Sequence, residues 1–226
     1  MPNVLITGAN RGIGLEFARS FAADGWRVHA CCRHPDKATE LKALDGDVVR
    51  HRLDVTNGLQ AASLARELAD EPLDLLINNA GIYGPRDAFG QTDKEAWAEV
   101  FKVNTMAPMR MAERFADHLA NGDRKLLANI SSRMGSIAQY DGGGSYIYRS
   151  SKAALNMVGK GLAADLAPRG ITVVMFHPGW VRTDMGGAEA ELTPAESVAG
   201  MRKVLDQLTP ADSGGFFGYD GSEIPW

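Results

Sequence analysis

A tyrosine and a lysine stand four residues apart in Tyr148-Arg-Ser-Ser-Lys152. On a helix, residues i and i+4 share one face a single turn apart, so a phenol and an ammonium enter the same space. An isolated phenol, with a pKa of about 10, shuttles protons poorly at neutral pH, whereas a neighbouring cation favours the phenolate and lowers that value. A tyrosine tuned by its lysine is then a candidate general acid or base. The same spacing also occurs on helices with no chemistry, so the pair gains meaning only from the elements that carry other groups to it.

The first such element is the β-branched run Asn3 to Thr7, followed by Gly8-Ala-Asn-Arg-Gly12-Ile-Gly14 and a segment of helical apolar spacing. A strand, glycine turn and helix in that order let backbone approach a pyrophosphate, with unpaired N–H groups at the helix start. The spacing TGxxxGxG departs from the usual GxGxxG dinucleotide fingerprint. Trp26 to Cys32 reads as a second strand ending at Arg33, where a doubly wound sheet presents a cofactor ribose. No carboxylate stands there to take a ribose 2′-hydroxyl. Arg11 and Arg33 suit a 2′-phosphate instead, which favours NADP(H) over NAD(H).

Val48 to Leu53 is a third strand that delivers Asp54 and Val55, with Asp54 a candidate partner for an adenine amino group. Asn57 caps a helix to about Ala69, and Leu73 to Ile77 is a fourth strand ending in Asn78-Asn79-Ala80-Gly81, small residues that admit a ligand. Thr92-Asp-Lys-Glu95 has the pattern of a capping box, and the helix it starts is expected to reach about His118. It carries Asn104, with Pro108 four residues on. A proline frees the carbonyl near i−4, so a kink that holds a water or a side chain is expected at Asn104. Lys125 to Ser131 is a fifth strand, and its end delivers Ser131 and Ser132 to the ligand side of the sheet. Asp141 to Ser145 reads as a mobile pocket wall. After the helix that holds Tyr148 come a sixth strand, Ile171 to Phe176, a helix from Thr193 to Leu208 and a short last strand at Gly215-Phe-Phe-Gly.

The whole chain of 226 residues is 45% hydrophobic and 23% charged, without repeats or a boundary, and is expected to be one domain over residues 1–226. A net charge of −4 gives no basic field for nucleic acid or an anionic membrane. With no apolar run of about 18 residues and no leader, a cytoplasmic protein is expected. The two cysteines, Cys31 and Cys32, are adjacent on a strand and should face opposite ways as reduced thiols. Five scattered histidines make no ligand cluster, so no metal is expected.

Taken together, Thr7-Gly8-xxx-Gly12-x-Gly14, Asn78-Asn79-Ala80-Gly81, Asn104, Ser132, Tyr148-xxx-Lys152 and Pro178-Gly179 resemble the motifs of the short-chain dehydrogenase/reductase family, in the family's order and over nearly the whole chain. The stretches SSRMGSI, YRSSKAALN, HPGWVRTDMGG and GFFGYDGSEIPW are similar to its C-factor and sniffer-like branch of NADPH-dependent carbonyl reductases. The resemblance implies an α/β fold: one doubly wound Rossmann-type domain with a seven-stranded parallel sheet in the order 3-2-1-4-5-6-7. It implies Tyr148 as general acid or base, Lys152 on the nicotinamide ribose and lowering the tyrosine pKa, Ser132 on the substrate oxygen, and Asn104 on a relay water.

By the same resemblance the cofactor would be held by Gly8, Asn10, Arg11, Gly12, Ile13 and Gly14, by Arg33, by Asp54 and Val55 at the adenine, and by Asn79, Ala80 and Gly81 at the adjoining ribose. Pro178 and Gly179 would also line the cofactor, and the Val181 backbone and the Thr183 hydroxyl would hold its carboxamide. Ser132 fits the family's S-x-x-G pattern better than Ser131, and Ser136 is a weaker third. Tyr83, Met134, Tyr140, Trp180 and Met185 flank these segments as an apolar rim, and the short Thr183 to Thr193 connection suggests an open pocket. The expected partner is a small carbonyl or alcohol, with a homodimer formed through the long helices around Asn104 and after Tyr148. Two alternatives stand beside an NADPH-linked reductase: an NAD-linked alcohol dehydrogenase of the same family, and a dinucleotide-sensing regulatory protein, since fold does not imply function.

Overall fold

Each short β-branched run becomes a strand whose successive side chains enter opposite layers. In the computed structural model, which describes residues 1–226, the strands are β1 (Asn3–Thr7), β2 (Arg27–Cys32), β3 (Val48–Arg52), β4 (Leu75–Asn78), β5 (Leu126–Ile130), β6 (Thr172–His177) and β7 (Phe216–Gly218). All neighbours pair in parallel, in the order β3-β2-β1-β4-β5-β6-β7. The chain reverses its direction of travel across the sheet between β1 and β4, which opens a crevice at their carboxyl ends.

The helices are α1 (Gly12–Ala23), α2 (Thr39–Lys42), α3 (Gly58–Glu67), α4 (Lys94–Phe101), α5 (Ala107–Asn121), α6 (Tyr146–Leu166) and α7 (Pro194–Gln207). α1 and α7 pack together, as do α3, α5 and α6 in sequence. The period-2 alternation of the strands feeds two cores. Val4, Ile6, Leu75 and Ile77 join Phe17 and Phe21 in one, while Leu5, Leu76, Val173 and Met175 join Phe115 and Leu162 in the other. Cys31 and Cys32 follow the same rule and lie in opposite cores. No helix is long and apolar enough to cross a membrane.

Caps set the helix starts. The Asn57 side chain accepts from the N–H groups of Leu59 and Gln60, and Thr193 forms a full capping box with Glu196. The box expected at Thr92 to Glu95 is replaced by a single cap from Asp93, which accepts from Ala96 N–H at 2.9 Å. The single long helix expected from there is also divided. α4 passes through a π-turn at Lys102–Met106 into α5. Pro108, near the start of α5, has no N–H to give the Asn104 carbonyl, and the turn before it is widened, with Ala107 N–H bonded to the Lys102 carbonyl.

Two further features lie away from the crevice. Between β2 and β3, His29 Nδ1 lies 3.1 Å from His51 Nε2, while Glu71 and Glu67 approach their outer nitrogens at 3.2 and 3.5 Å. Burial pushes His29 down to about 4 and His51 also downward. At the other end of the chain, Trp226 stacks on Phe216, and its carbonyl accepts from Ala138 N–H at 2.8 Å.

Candidate active site

α6 begins two residues before Tyr148, so Tyr148 and Lys152 lie one turn apart, both buried. The Lys152 ammonium donates to the Ile130 carbonyl at 2.8 Å and lies 5.8 Å from the Tyr148 ring centre. Burial pushes the phenol up to about 12, against the opposing influence of the neighbouring Ser132 hydroxyl. Burial also pushes Lys152 down to about 8. The expected lowering of the phenol by its lysine is therefore corrected: desolvation dominates, and the ammonium is directed at a backbone carbonyl. At neutral pH this tyrosine keeps its proton.

The end of β5 sorts the three serines. Ser131 Oγ donates to buried Asn156 Oδ1 at 2.5 Å, and Ser136 Oγ donates to the Pro225 carbonyl at 2.5 Å. Ser132 is the one beside Tyr148, and its Oγ also accepts from Met134 N–H at 3.2 Å, which caps the short 3-10 turn Arg133–Gly135.

Asn104 lies in the π-turn, nearly fully buried. Its Oδ1 accepts from Ile82 N–H at 2.9 Å, and its Nδ2 donates to the Ile82 carbonyl at 2.8 Å and to Ser151 Oγ at 3.0 Å. Ser151 in turn donates to the Tyr148 carbonyl at 2.7 Å. The side chain of Asn104 is thus a brace between the segment after β4 and α6. A Cβ at Gly81 would lie 3.4 Å from Asn104 Oδ1 and 3.7 Å from Lys152 Nζ, so the chain passes close to both here.

The glycine turn is tied to the end of β4. Thr7 Oγ1 accepts from the N–H groups of Asn79 and Ala80, each at 3.0 Å, and Asn79 Nδ2 donates to the carbonyls of Thr7 and Gly8. A Cβ at Gly14 would meet the Gly8 carbonyl oxygen at 2.3 Å, so only glycine closes the turn this tightly. Asn10 and Ile13 stand half-buried on this turn. Thr183 lies against it: its Cγ2 is 3.1 Å from the place of a Gly12 Cβ. Val181 bridges Leu192, and the Pro178 carbonyl accepts from Ser197 Oγ at 2.6 Å, fixing the loop around Gly179.

The two arginines assigned to a 2′-phosphate do not share a partner. Arg11 pairs with Asp184 at 3.0 Å on the surface, bridging the glycine turn to the loop after β6. Arg33 is exposed just past β2 and lowers Asp54, which is held down chiefly by its hydrogen bond from Thr56. Val55 is half-buried beside Asp54. Of the rim residues, Tyr83 and Met134 are half-buried, while Tyr140, Trp180 and Met185 are about half exposed.

Two buried residues at the site, Ser151 and Asn156, lie outside the motif positions, and Gly135 is the glycine of the S-x-x-G pattern. Ser151 braces Asn104, Asn156 joins Ser131 to the Gly135 carbonyl, and Gly135 packs against the helix at Lys152. Helical spacing offers the signal for two of them, since Ser151 and Asn156 lie at i+3 from Tyr148 and i+4 from Lys152.

Comparison with known proteins shows the family to which the chain belongs. A family model described as short chain dehydrogenase matches residues 2–193. The C-signal protein of Myxococcus xanthus is 44% identical over 164 residues, which span 73% of this chain and 99% of that protein. Among solved structures, the carbonyl reductase Sniffer of D. melanogaster superposes with a TM-score of 0.95 at 32% identity, covering 100% of both chains. An NADPH-bound carbonyl reductase from chicken fatty liver gives 0.92 at 37% identity, covering 100% of this chain and 99% of that one. Since the match runs through most of the chain and the fold agrees strand for strand, the protein belongs to the short-chain dehydrogenase/reductase family of oxidoreductases.

Proposed function

We propose that the chain is an NADPH-dependent reductase of aldehydes or ketones, with Tyr148 as the proton donor. The observation that carries this reading is the buried phenol of Tyr148, protonated at neutral pH, beside Ser132 and one turn from Lys152. The crevice fits a dinucleotide. Its glycine turn has no side chains where backbone must approach a phosphate, and the first N–H groups of α1 have no acceptor within the helix. When bound, NADPH supplies the hydride that reaches the carbonyl carbon.

The protein's own residues do the rest. Ser132 hydrogen-bonds the carbonyl oxygen and orients it toward Tyr148, whose proton neutralises the developing alkoxide. Lys152 spends one donor on Ile130 and keeps two for a ribose hydroxyl, while Asn104 holds the intervening segment in place. Arg33 stands free for a 2′-phosphate, and the NADPH in the chicken relative supports that preference. Exposed Met106 and Met157, on the two helical stretches assigned to dimer formation, support pairing of two chains there.

The test is the Tyr148→Phe variant. It should retain NADPH binding by thermal shift and lose turnover of benzaldehyde by about a hundredfold to ten-thousandfold. A Phe variant with undiminished kcat would sink the assignment.

A further inference from the structure

One aromatic contact at the site belongs to none of the assigned roles. The ring of Tyr83 lies nearly flat on that of Tyr148, with centroids 4.4 Å apart and planes 17° from parallel. Its hydroxyl is 3.0 Å from Ser145 Oγ and 3.9 Å from Met134 Sδ. We propose that Tyr83 is a positioning residue for the reaction: its ring holds and dries one face of the Tyr148 phenol, and its hydroxyl ties down the substrate-side wall. This inference rests on the role of Tyr148 proposed above and adds a second aromatic residue to it.

The placement of Tyr83 is imposed from both sides. Ile82 before it has its N–H and its carbonyl bonded to the Asn104 side chain. Gly84 after it has φ +76, and a Cβ there would come 2.7 Å from Val100 Cγ2 and 3.6 Å from Ile147 Cγ2. The backbone therefore enters the space between α4 and α6 where no side chain fits, and it carries the Tyr83 ring to Tyr148. A surface tyrosine free to swing would have neither restraint.

The wall is equally specific. Ser145, the residue before α6, has φ +51, a left-handed conformation that a side chain adopts only when its surroundings hold it there. Three bonds hold it: its N–H donates to the Asp87 carbonyl at 2.9 Å, its carbonyl accepts from Arg149 N–H at 2.9 Å, and its hydroxyl meets Tyr83. The segment from Tyr83 to Asp87 and the end of the glycine run are thereby joined directly above the tyrosine. The facing ring covers one side of the phenol and so adds to the burial that pushes its pKa up.

Two variants of the full chain separate a positioning role from space filling. Tyr83→Leu should lower kcat for benzaldehyde by roughly tenfold or more and move the alkaline limb of the pH profile to lower pH, since the phenol becomes better hydrated. Its KM for NADPH should not change. Tyr83→Phe keeps the ring, so kcat and the alkaline limb should be retained, while KM for the aldehyde rises a few-fold and Ser145→Ala reproduces that rise.

Wild-type kcat and an unmoved limb in a folded Tyr83→Leu protein would overturn the ring's role. Should that variant not fold, an unchanged aldehyde KM in Tyr83→Phe overturns the proposal by itself. If Tyr148→Phe is inactive and the Tyr83 variants behave as wild type, only this inference fails. If Tyr148→Phe remains active, the acid assignment fails first.

Discussion

Replacing Gly135 by alanine should damage catalysis without touching any group that reacts. A Cβ at this position would lie 2.7 Å from the Lys152 carbonyl carbon and 2.9 Å from Ala153 N. Ordinary contact begins at 3.4 Å, so the turn must withdraw from α6 by about 0.7 Å, because helix backbone cannot rotate aside as a side chain can. Gly135 closes the short turn that Ser132 opens, and the Gly135 carbonyl is held by Asn156, so the displacement passes to the serine hydroxyl facing Tyr148. Overpacking of this kind costs about 1–3 kcal/mol of stability. A shift near 1 Å in a reacting geometry costs up to about a hundredfold in rate, so a loss of roughly ten- to a hundredfold in kcat is expected. The assay is NADPH oxidation with benzaldehyde, alongside a thermal melt and NADPH titration. The melting point should fall by roughly 2–10 °C. NADPH affinity should hold, since the glycine turn is elsewhere. A Gly135→Ala enzyme with full kcat and an unchanged melt would refute the claim that this glycine sets the distance between Ser132 and the catalytic helix.

Asn104→Ala should unpair both backbone groups of Ile82 and remove the donor to Ser151 Oγ, costing about 2–4 kcal/mol, seen as a lower midpoint in urea; an unchanged midpoint would show that Asn104 is not a brace. Arg33→Ala should weaken NADPH by about ten- to a hundredfold while leaving NADH nearly untouched, measured by fluorescence titration. Equal losses would remove Arg33 from the 2′-phosphate. Acid should destabilise the fold through His29. Its folded pKa of about 4 lies below the ordinary 6.5, so its contribution is complete above pH 6.5 and is lost as pH falls from 6.5 toward 4. The shift corresponds to about 3 kcal/mol, and His29→Asn should flatten the fall in urea midpoint over that window. An identical fall in both proteins would place the acid sensitivity elsewhere.

The strands and the crevice were legible because they depend on local pattern: five- and six-residue apolar runs, a glycine turn, and a cap such as Asn57. The polarity of the Tyr148 shift was not. Spacing shows that Lys152 is near, but it cannot show that the pocket around both groups is dry enough for desolvation to outweigh that cation. Pro108 announced a disturbance at Asn104, yet a π-turn with the amide facing Ile82 depends on a segment more than twenty residues away. The stacking of Tyr83 on Tyr148 was hidden for the same reason, since it joins residues from opposite sides of the crevice.

The placing of Cys31 and Cys32 in opposite cores gives the protein a built-in chemical clock. Burial pushes both thiols upward, so neither is a ready nucleophile while β2 stays in the sheet. Alkylation by iodoacetamide must then await opening of that strand, and its rate reports how often the sheet parts at this point. Because Cys32 immediately precedes Arg33, slower labelling with NADPH than with NADH would read out ribose-phosphate recognition in the absence of any turnover.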